Sequence, residues 1–259
     1  MRLALFGGIY SNFYALEAAL RDVRRRGVDG IYCLGDIGAF GPDPDRVYPL
    51  LRSAGVRCLQ GNYDNSLADG LADCQCGYTD PRDNHFARIS YDYTFRRTSA
   101  ENKAWLASLP PQIRIEAEGL KLLFCHGSPR RINEFLWSST APDGFLEHLL
   151  RKSDAEVIAV THTGIKWQRR MRDGRLFVNV GVLGRPENDG RTNTWYTLLT
   201  IQDGRAEALH VPVVYDAQAL ARDMRREGLP EEFVQTVLTG WWTTCLEVLP
   251  HRERATGLF

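Results

Sequence analysis

The chain has 259 residues, 44% of them hydrophobic, enough for one large core, and a single compact domain is expected. Its 32 basic residues equal its 32 acidic ones, which removes any global electrostatic reason to expect a nucleic acid or an anionic membrane as partner. The opening run M-R-L-A-L-F-G-G turns polar too soon for a secretion signal, and no apolar run approaches the ~18 residues of a membrane span, so a cytoplasmic protein is expected.

Arg2 to Phe6 reads as a buried strand that stops at Gly7-Gly8, after which Ser11 or Asn12 caps a helix running to about Arg26. The glycine pair lets backbone approach a neighbour closely, but the spacing of a phosphate loop is absent. A second strand closes on C-L-G-D, and Asp43 to Ser53 reads as a helix with Pro44 in its first turn. A third strand closes on C-L-Q-G-N-Y-D, so the chain opens as a parallel α/β arrangement. Residues 65–111 break the rhythm with a Gly, Asp, Asn and Pro-rich stretch and then a helix near Ser99 to Ser108. Such an excursion between site-bearing strands suits a lid or substrate wall, with Tyr78, His85 and Arg88 expected near the site. Ile113 to Ile115 and Leu120 to Cys125 read as a hairpin around Gly119, Pro142 to Arg151 as a helix and Val157 to Val160 as a strand. Arg175 to Val180, Thr194 to Ile201 and Glu207 to Val213 read as antiparallel strands, making the sheets mixed. Asp216 to Glu227 and Pro230 to Leu238 close a domain over 1–240, with 241–259 expected as a C-terminal tail.

Four strand ends carry residues that bind metals. Asp36 follows Gly35, Asn62 follows Gly61, His126 ends K-L-L-F-C-H, and His162 ends E-V-I-A-V-T-H. Parallel α/β sheets build sites at the carboxyl ends of their strands, so one carboxylate, one amide and two imidazoles are expected together. Each residue alone has a plainer reading, as a cap or a hydrogen-bonded core histidine; the four together suit a divalent transition metal, Mn, Fe, Ni, Co or Zn. Arg130 and Arg131 follow H-G-S-P, where guanidinium groups can meet a phosphate or simply face solvent, and Asn133 and Glu134 most simply cap the next segment. His85, His148, His210 and His251 have no such context. Arg24 to Arg26 and Lys166 to Arg172 read as solvated faces. Cys33, Cys58 and Cys125 read as buried hydrophobes, and the Cys74-x-Cys76 pair as an ordered loop lacking the partner motif of a zinc site.

The order G-D, G-N-x-D, H-G-S-P, T-H-T and N-x-G-x-x-G-x-P resembles the calcineurin-like metallophosphoesterase superfamily, most closely its bacterial YfcE/diadenosine-tetraphosphatase-like branch. The resemblance runs from Leu3 to about Leu238 and implies an αββα sandwich, two mixed sheets flanked by helices, with a dinuclear centre at the strand ends. It also marks departures. The first motif, D-x-H-x-N, appears as Gly8, Tyr10 and Asn12, and the late G-H-x-H appears as Thr161, His162, Thr163 and Gly164. The three absent ligands belong to one metal, while Asp36, Asn62, His126 and His162 complete the other. Tyr63 replaces the histidine that protonates the leaving group in more active relatives. The resemblance therefore implies a metal-dependent phosphoesterase, impaired or single-metal, with about one ion per chain, Asp36, Asn62 and His126 in catalytic roles, and a phosphomonoester or phosphodiester substrate. The alternative is a catalytically silent relative that binds a phosphorylated ligand or a partner. A homo-oligomer is compatible with either.

Overall fold

A computed structural model describes residues 1–255. Strand β1 (Arg2–Phe6) shows how period-two alternation divides side chains between layers. Leu3 and Leu5 enter an inter-sheet core with Tyr32, Leu34, Phe124, Val157 and Val178, whereas Ala4 and Phe6 face a helical layer that includes Leu16, Leu20 and Val23. Both faces of the strand are covered, which is why its apolar run is nearly continuous. Full burial of one such leucine contributes about 2 kcal/mol.

Chain order gives α1 (Phe13–Arg26), β2 (Gly30–Cys33), α2 (Val47–Ser53), β3 (Arg57–Cys58), α3 (Asn62–Asp69), α4 (Pro81–Arg97) and α5 (Ala100–Ala107). Then follow β4 (Gln112–Ala117), β5 (Leu120–Cys125), α6 (Asp143–Lys152), β6 (Val157–Val160), β7 (Trp167–Arg170), β8 (Leu176–Asn179), β9 (Thr194–Gln202), β10 (Arg205–Val213), α7 (Ala217–Arg226), α8 (Glu231–Thr239) and α9 (His251–Ala255). One sheet runs β10-β9-β1-β2-β3 and the other β4-β5-β6-β8-β7. β1, β2 and β3 are mutually parallel, as are β5, β6 and β8. These parallel sets end on the same side of the molecule as the site. Leu146, Leu149 and Leu150 of α6 cover the outer face of the second sheet, completing the four layers expected.

The structure departs from the sequence reading in several places. The Gly, Asp, Asn and Pro-rich stretch from residue 65 to Asn84 contains the latter part of α3 and the start of α4. Asp80 caps α4 by accepting from the Arg82 and Asp83 amides, with Pro81 at the first helical position. The helix read at Asp43 to Ser53 begins as a short 3-10 turn, Pro44–Arg46, before α2. Arg175 to Val180 contains β8, which pairs parallel with β6 and antiparallel only with β7. β7 lies inside the basic run Lys166 to Arg172, where arginines on an edge strand discourage further pairing. Residues 241–255 do not trail from the surface: Trp242, Thr244, Cys245, Leu249 and Glu253 are buried. The remainder of the expected tail, 256–259, lies outside the described residues. Cys74 and Cys76 are joined to each other as a disulfide. No described helix is long and apolar enough to cross a membrane.

Candidate metal centre

Asp36 leaves β2 through Gly35, His126 follows β5 directly, and His162 lies two residues beyond β6. One ligand atom from each lies within 4.8 Å of the others, and all three side chains are buried. The loops close on one another through glycine. A Cβ on Gly35 would lie 2.1 Å from the Gly61 amide nitrogen, and one on Gly61 would lie 2.2 Å from Asp36 Oδ1. Asp36 (φ 55°) and His162 (φ 71°) occupy the left-handed region, a strain of roughly 1–2 kcal/mol each for a non-glycine residue. Asn179 at the end of β8 holds the His162 loop by donating to Thr161 O at 3.2 Å and Thr163 Oγ1 at 2.9 Å.

Hydrogen bonding fixes the donor atoms. His126 Nδ1 lies 2.6 Å from the Leu34 carbonyl, which can only accept, so Nδ1 carries the proton. Nε2 is then turned inward, 3.3 Å from Asp36 Oδ2 and 3.1 Å from His162 Nδ1. Such a bond to the far nitrogen sets the tautomer that binds a metal. Asp36 Oδ1 accepts from the Tyr63 amide at 3.1 Å. Asn62 donates through Nδ2 to Cys74 O at 2.8 Å, leaving its buried Oδ1 without a partner, and His162 Nε2 is likewise buried and unpartnered. The converging carboxylate oxygen and two imidazoles suit a divalent transition ion, and the unpartnered Asn62 Oδ1, one residue beyond the Gly61 that packs on Asp36, is a further donor of the right type.

The electrostatics show three bases competing for one positive charge. Burial opposes charge on His126, but Asp36 more than offsets it and holds the imidazole above its ordinary value. Burial, and then repulsion from His126, push His162 down to about 3. Burial would raise Asp36, yet His126 holds it below the usual carboxylate range.

Asp64 is a positioning residue that sequence reasoning passed over. Its Oδ2 accepts from the Asp36 amide at 2.7 Å and the Gly61 amide at 2.9 Å, and its Oδ1 from the Ile37 amide at 3.1 Å. It thus ties the Asp36 and Asn62 loops together; burial and the neighbouring Asp36 push its carboxyl up to about 7. The G-N-x-D spacing was the available signal, because it places an acid at the third residue of α3, able to cap that helix.

Beside the ligands lies a narrow cavity of about 50 Å³, bordered by Asp36, His162, Tyr10, Tyr63, Tyr78 and Arg185. Cys76, Phe86, Ala87 and Ser90 also face it, so part of the 65–111 excursion forms its wall. Tyr78 is there as expected, whereas His85 and Arg88 are exposed and outside the lining. Arg130 and Arg131 are also exposed and outside it. Arg130 is paired with Glu134 and stacked 4.7 Å over Phe145, which explains why it does not reach the site, and Glu134 serves that pair rather than a cap. The guanidinium that does border the cavity belongs to Arg185, inside the N-x-G-x-x-G-x-P segment. Tyr10 occupies the space beside Gly8: a Cβ there would lie 2.5 Å from Tyr10 Cε1.

An uncharacterized protein of Methanocaldococcus jannaschii is 26% identical over 252 residues, covering 92% of this chain and 98% of its own length. The crystal structure of a metallophosphoesterase from Sphaerobacter thermophilus is 26% identical with a TM-score of 0.72, covering 93% of this chain and 99% of that one. A hypothetical protein of Pyrococcus horikoshii OT3, 20% identical with a TM-score of 0.78, shares the fold over 93% of this chain and 99% of its own. The sequence model of the calcineurin-like phosphoesterase superfamily domain matches residues 1–204, most of the chain, and the chain belongs to that superfamily.

Proposed function

We propose that this protein is a phosphoesterase-type hydrolase working with one divalent cation held by Asp36, His126, His162 and Asn62. The convergence of three buried ligand atoms within 4.8 Å carries the reading. When bound, such an ion supplies Lewis-acid charge to a phosphoryl oxygen and makes a coordinated water more acidic.

The protein's own groups do the rest. The Leu34 carbonyl keeps His126 in the tautomer that turns Nε2 toward the site. Asp36 contributes the negative charge, its orientation fixed by the Tyr63 amide. Tyr63 is a poor replacement for a leaving-group acid: burial pushes its phenol far above the ordinary value, and its hydroxyl donates to Ser90 Oγ at 3.0 Å. Departure of an alkoxide is therefore unassisted by this side chain, and turnover is slow. Losing a second metal ion removes nucleophile activation and charge stabilisation worth at least one oxyanion donor, ~3 kcal/mol or ~100-fold in rate.

The narrow cavity favours a second reading, a silent relative that binds a small phosphorylated ligand. At about 50 Å³ it is far below the ~300 Å³ or more of an ordinary ligand pocket. Elemental analysis of protein purified without chelators, with hydrolysis of p-nitrophenyl phosphate and bis-p-nitrophenyl phosphate in Mn, Ni or Co, tests both. About one ion per chain and weak turnover are expected. Two tightly held ions would overturn the single-ion centre, fast turnover the impaired one, and one ion with no turnover would leave the silent reading.

A further inference from the structure

Arg185 lies in the loop between β8 and β9 and is only 6% exposed. Its guanidinium carbon sits 3.6 Å from the Trp242 ring centroid, 5.5 Å from that of Phe40 and 5.9 Å from that of Tyr10. Its Nε is buried with no hydrogen-bond partner, and Asp36, already engaged with His126, is the one carboxylate among the described residues that borders the cavity Arg185 shares. Aromatic faces compensate part of the cost of burying a cation, but an arginine keeps its charge and its donors still require acceptors. Its placement is also specific. Nη2 lies 3.2 Å from where a Cβ on Gly164 would be, with the Trp242 ring edge at 2.9 Å. Gly8, Tyr10 and Gly164 are the positions where the sequence resemblance expects metal ligands. The Tyr10 ring fills the space beside Gly8, and the Trp242 ring edge together with the Arg185 guanidinium fills that beside Gly164.

We propose that Arg185 is the permanent second cation of this centre, binding the oxygens of a terminal phosphoryl group that also faces the ion at Asp36, His126 and His162. This deepens the single-ion reading above and rests on it. One divalent ion, one carboxylate and one guanidinium leave the cavity positive, and a phosphate dianion neutralises it. The planar fork of arginine pairs two N–H groups with two oxygens. A terminal phosphoryl has three unsubstituted oxygens to divide between fork and ion, whereas a diester has two and carries a single charge. The preferred ligand class is therefore a phosphomonoester or inorganic phosphate, and the small cavity admits that head group alone.

The test is calorimetric titration of the full chain with Mn²⁺, then of the Mn²⁺-loaded protein with inorganic phosphate and with dimethyl phosphate. The variants are Arg185→Met and Arg185→Lys, the second retaining a charge over Trp242 should the first not fold. Expected are Mn²⁺ affinity within a few-fold of wild type in both, phosphate binding weakened about 100-fold by Met and about 10-fold by Lys, and dimethyl phosphate bound more weakly than phosphate. Wild-type phosphate affinity in the variants, or equal affinity for the diester, would overturn the proposal. Mn²⁺ binding without phosphate binding would defeat it and spare the single-ion reading. Arg185-dependent phosphate binding without Mn²⁺ binding would defeat the single-ion reading and, with it, the role of Arg185 as a second cation.

Discussion

Gly8 and Gly164 differ in what they permit. At Gly8 the obstacle is the ring of Tyr10, a side chain that can be replaced. At Gly164 the backbone is left-handed, φ +78°, so any side chain is strained before it meets Trp242 or Arg185. Gly8→Asp combined with Tyr10→His should therefore fold with near wild-type stability, while Gly164→His should lose about 1–2 kcal/mol or more in urea denaturation. An unchanged midpoint for Gly164→His would refute the argument. The meeting of Asp36, His126 and His162 was legible in the sequence because each follows an apolar run that fixes where it emerges. Arg185 was not, because nothing in its spacing distinguishes it from Arg130 or Arg131. Which arginine turns inward depends on Trp242, more than fifty residues further along the chain.

Among the elements, the hairpin of β9 and β10 carries a titration that stability measurements can read. His210 faces Thr197 across it, Nδ1 to Oγ1 at 2.9 Å, and burial followed by the charge of Lys166 pushes the imidazole down to about 4. An unfolded histidine titrates near ~6.5, so between those values the unfolded chain binds a proton that the folded one refuses. That stabilisation is present above about pH 6.5 and is lost as pH falls toward 4, on the order of 2 kcal/mol by pH 5. His210→Gln should flatten the dependence of the urea midpoint on pH over this window; an identical slope would exclude His210 as its source. The strands here were legible from alternation. Helix α4 was not, because its buried face includes Ser90, Tyr91, Tyr93 and Thr94 beside Phe86 and Ala87, so hydrophobicity alone conceals the helical period. β7 was hidden for a related reason: a charged edge strand reads as loop.

At the scale of the molecule, the C-terminal segment belongs to the fold. Trp242 donates from its indole to Pro186 O at 2.7 Å and from its amide to Asn188 Oδ1 at 2.9 Å, and the Val248 amide donates to Asp83 in α4 at 2.9 Å. A chain ended after Gly240 would expose Trp137 and the Arg185 guanidinium, and it should melt several degrees lower, about 4 °C for each 1 kcal/mol lost at this size or somewhat less. Unaltered melting would show that the segment adds nothing to the packing. The sandwich itself was legible because its strands announce their buried faces, whereas contacts between distant loops leave no local pattern.

The candidate ligands come from both halves of that sandwich. Asp36 extends from a strand of one sheet, and His126 and His162 from strands of the other, with the Leu34 carbonyl and His126 already joining the two. A cation there would act as a rivet through the layers, so its occupancy would be measurable far from any chemistry. At one hundred times its dissociation constant it would add about 2.7 kcal/mol to unfolding. Amide protons of β2 and β5 should then exchange with deuterium more slowly in Mn²⁺ than in chelator, together rather than one sheet at a time. Protection confined to a single sheet would mean that the halves part independently and that the ion fastens only one of them.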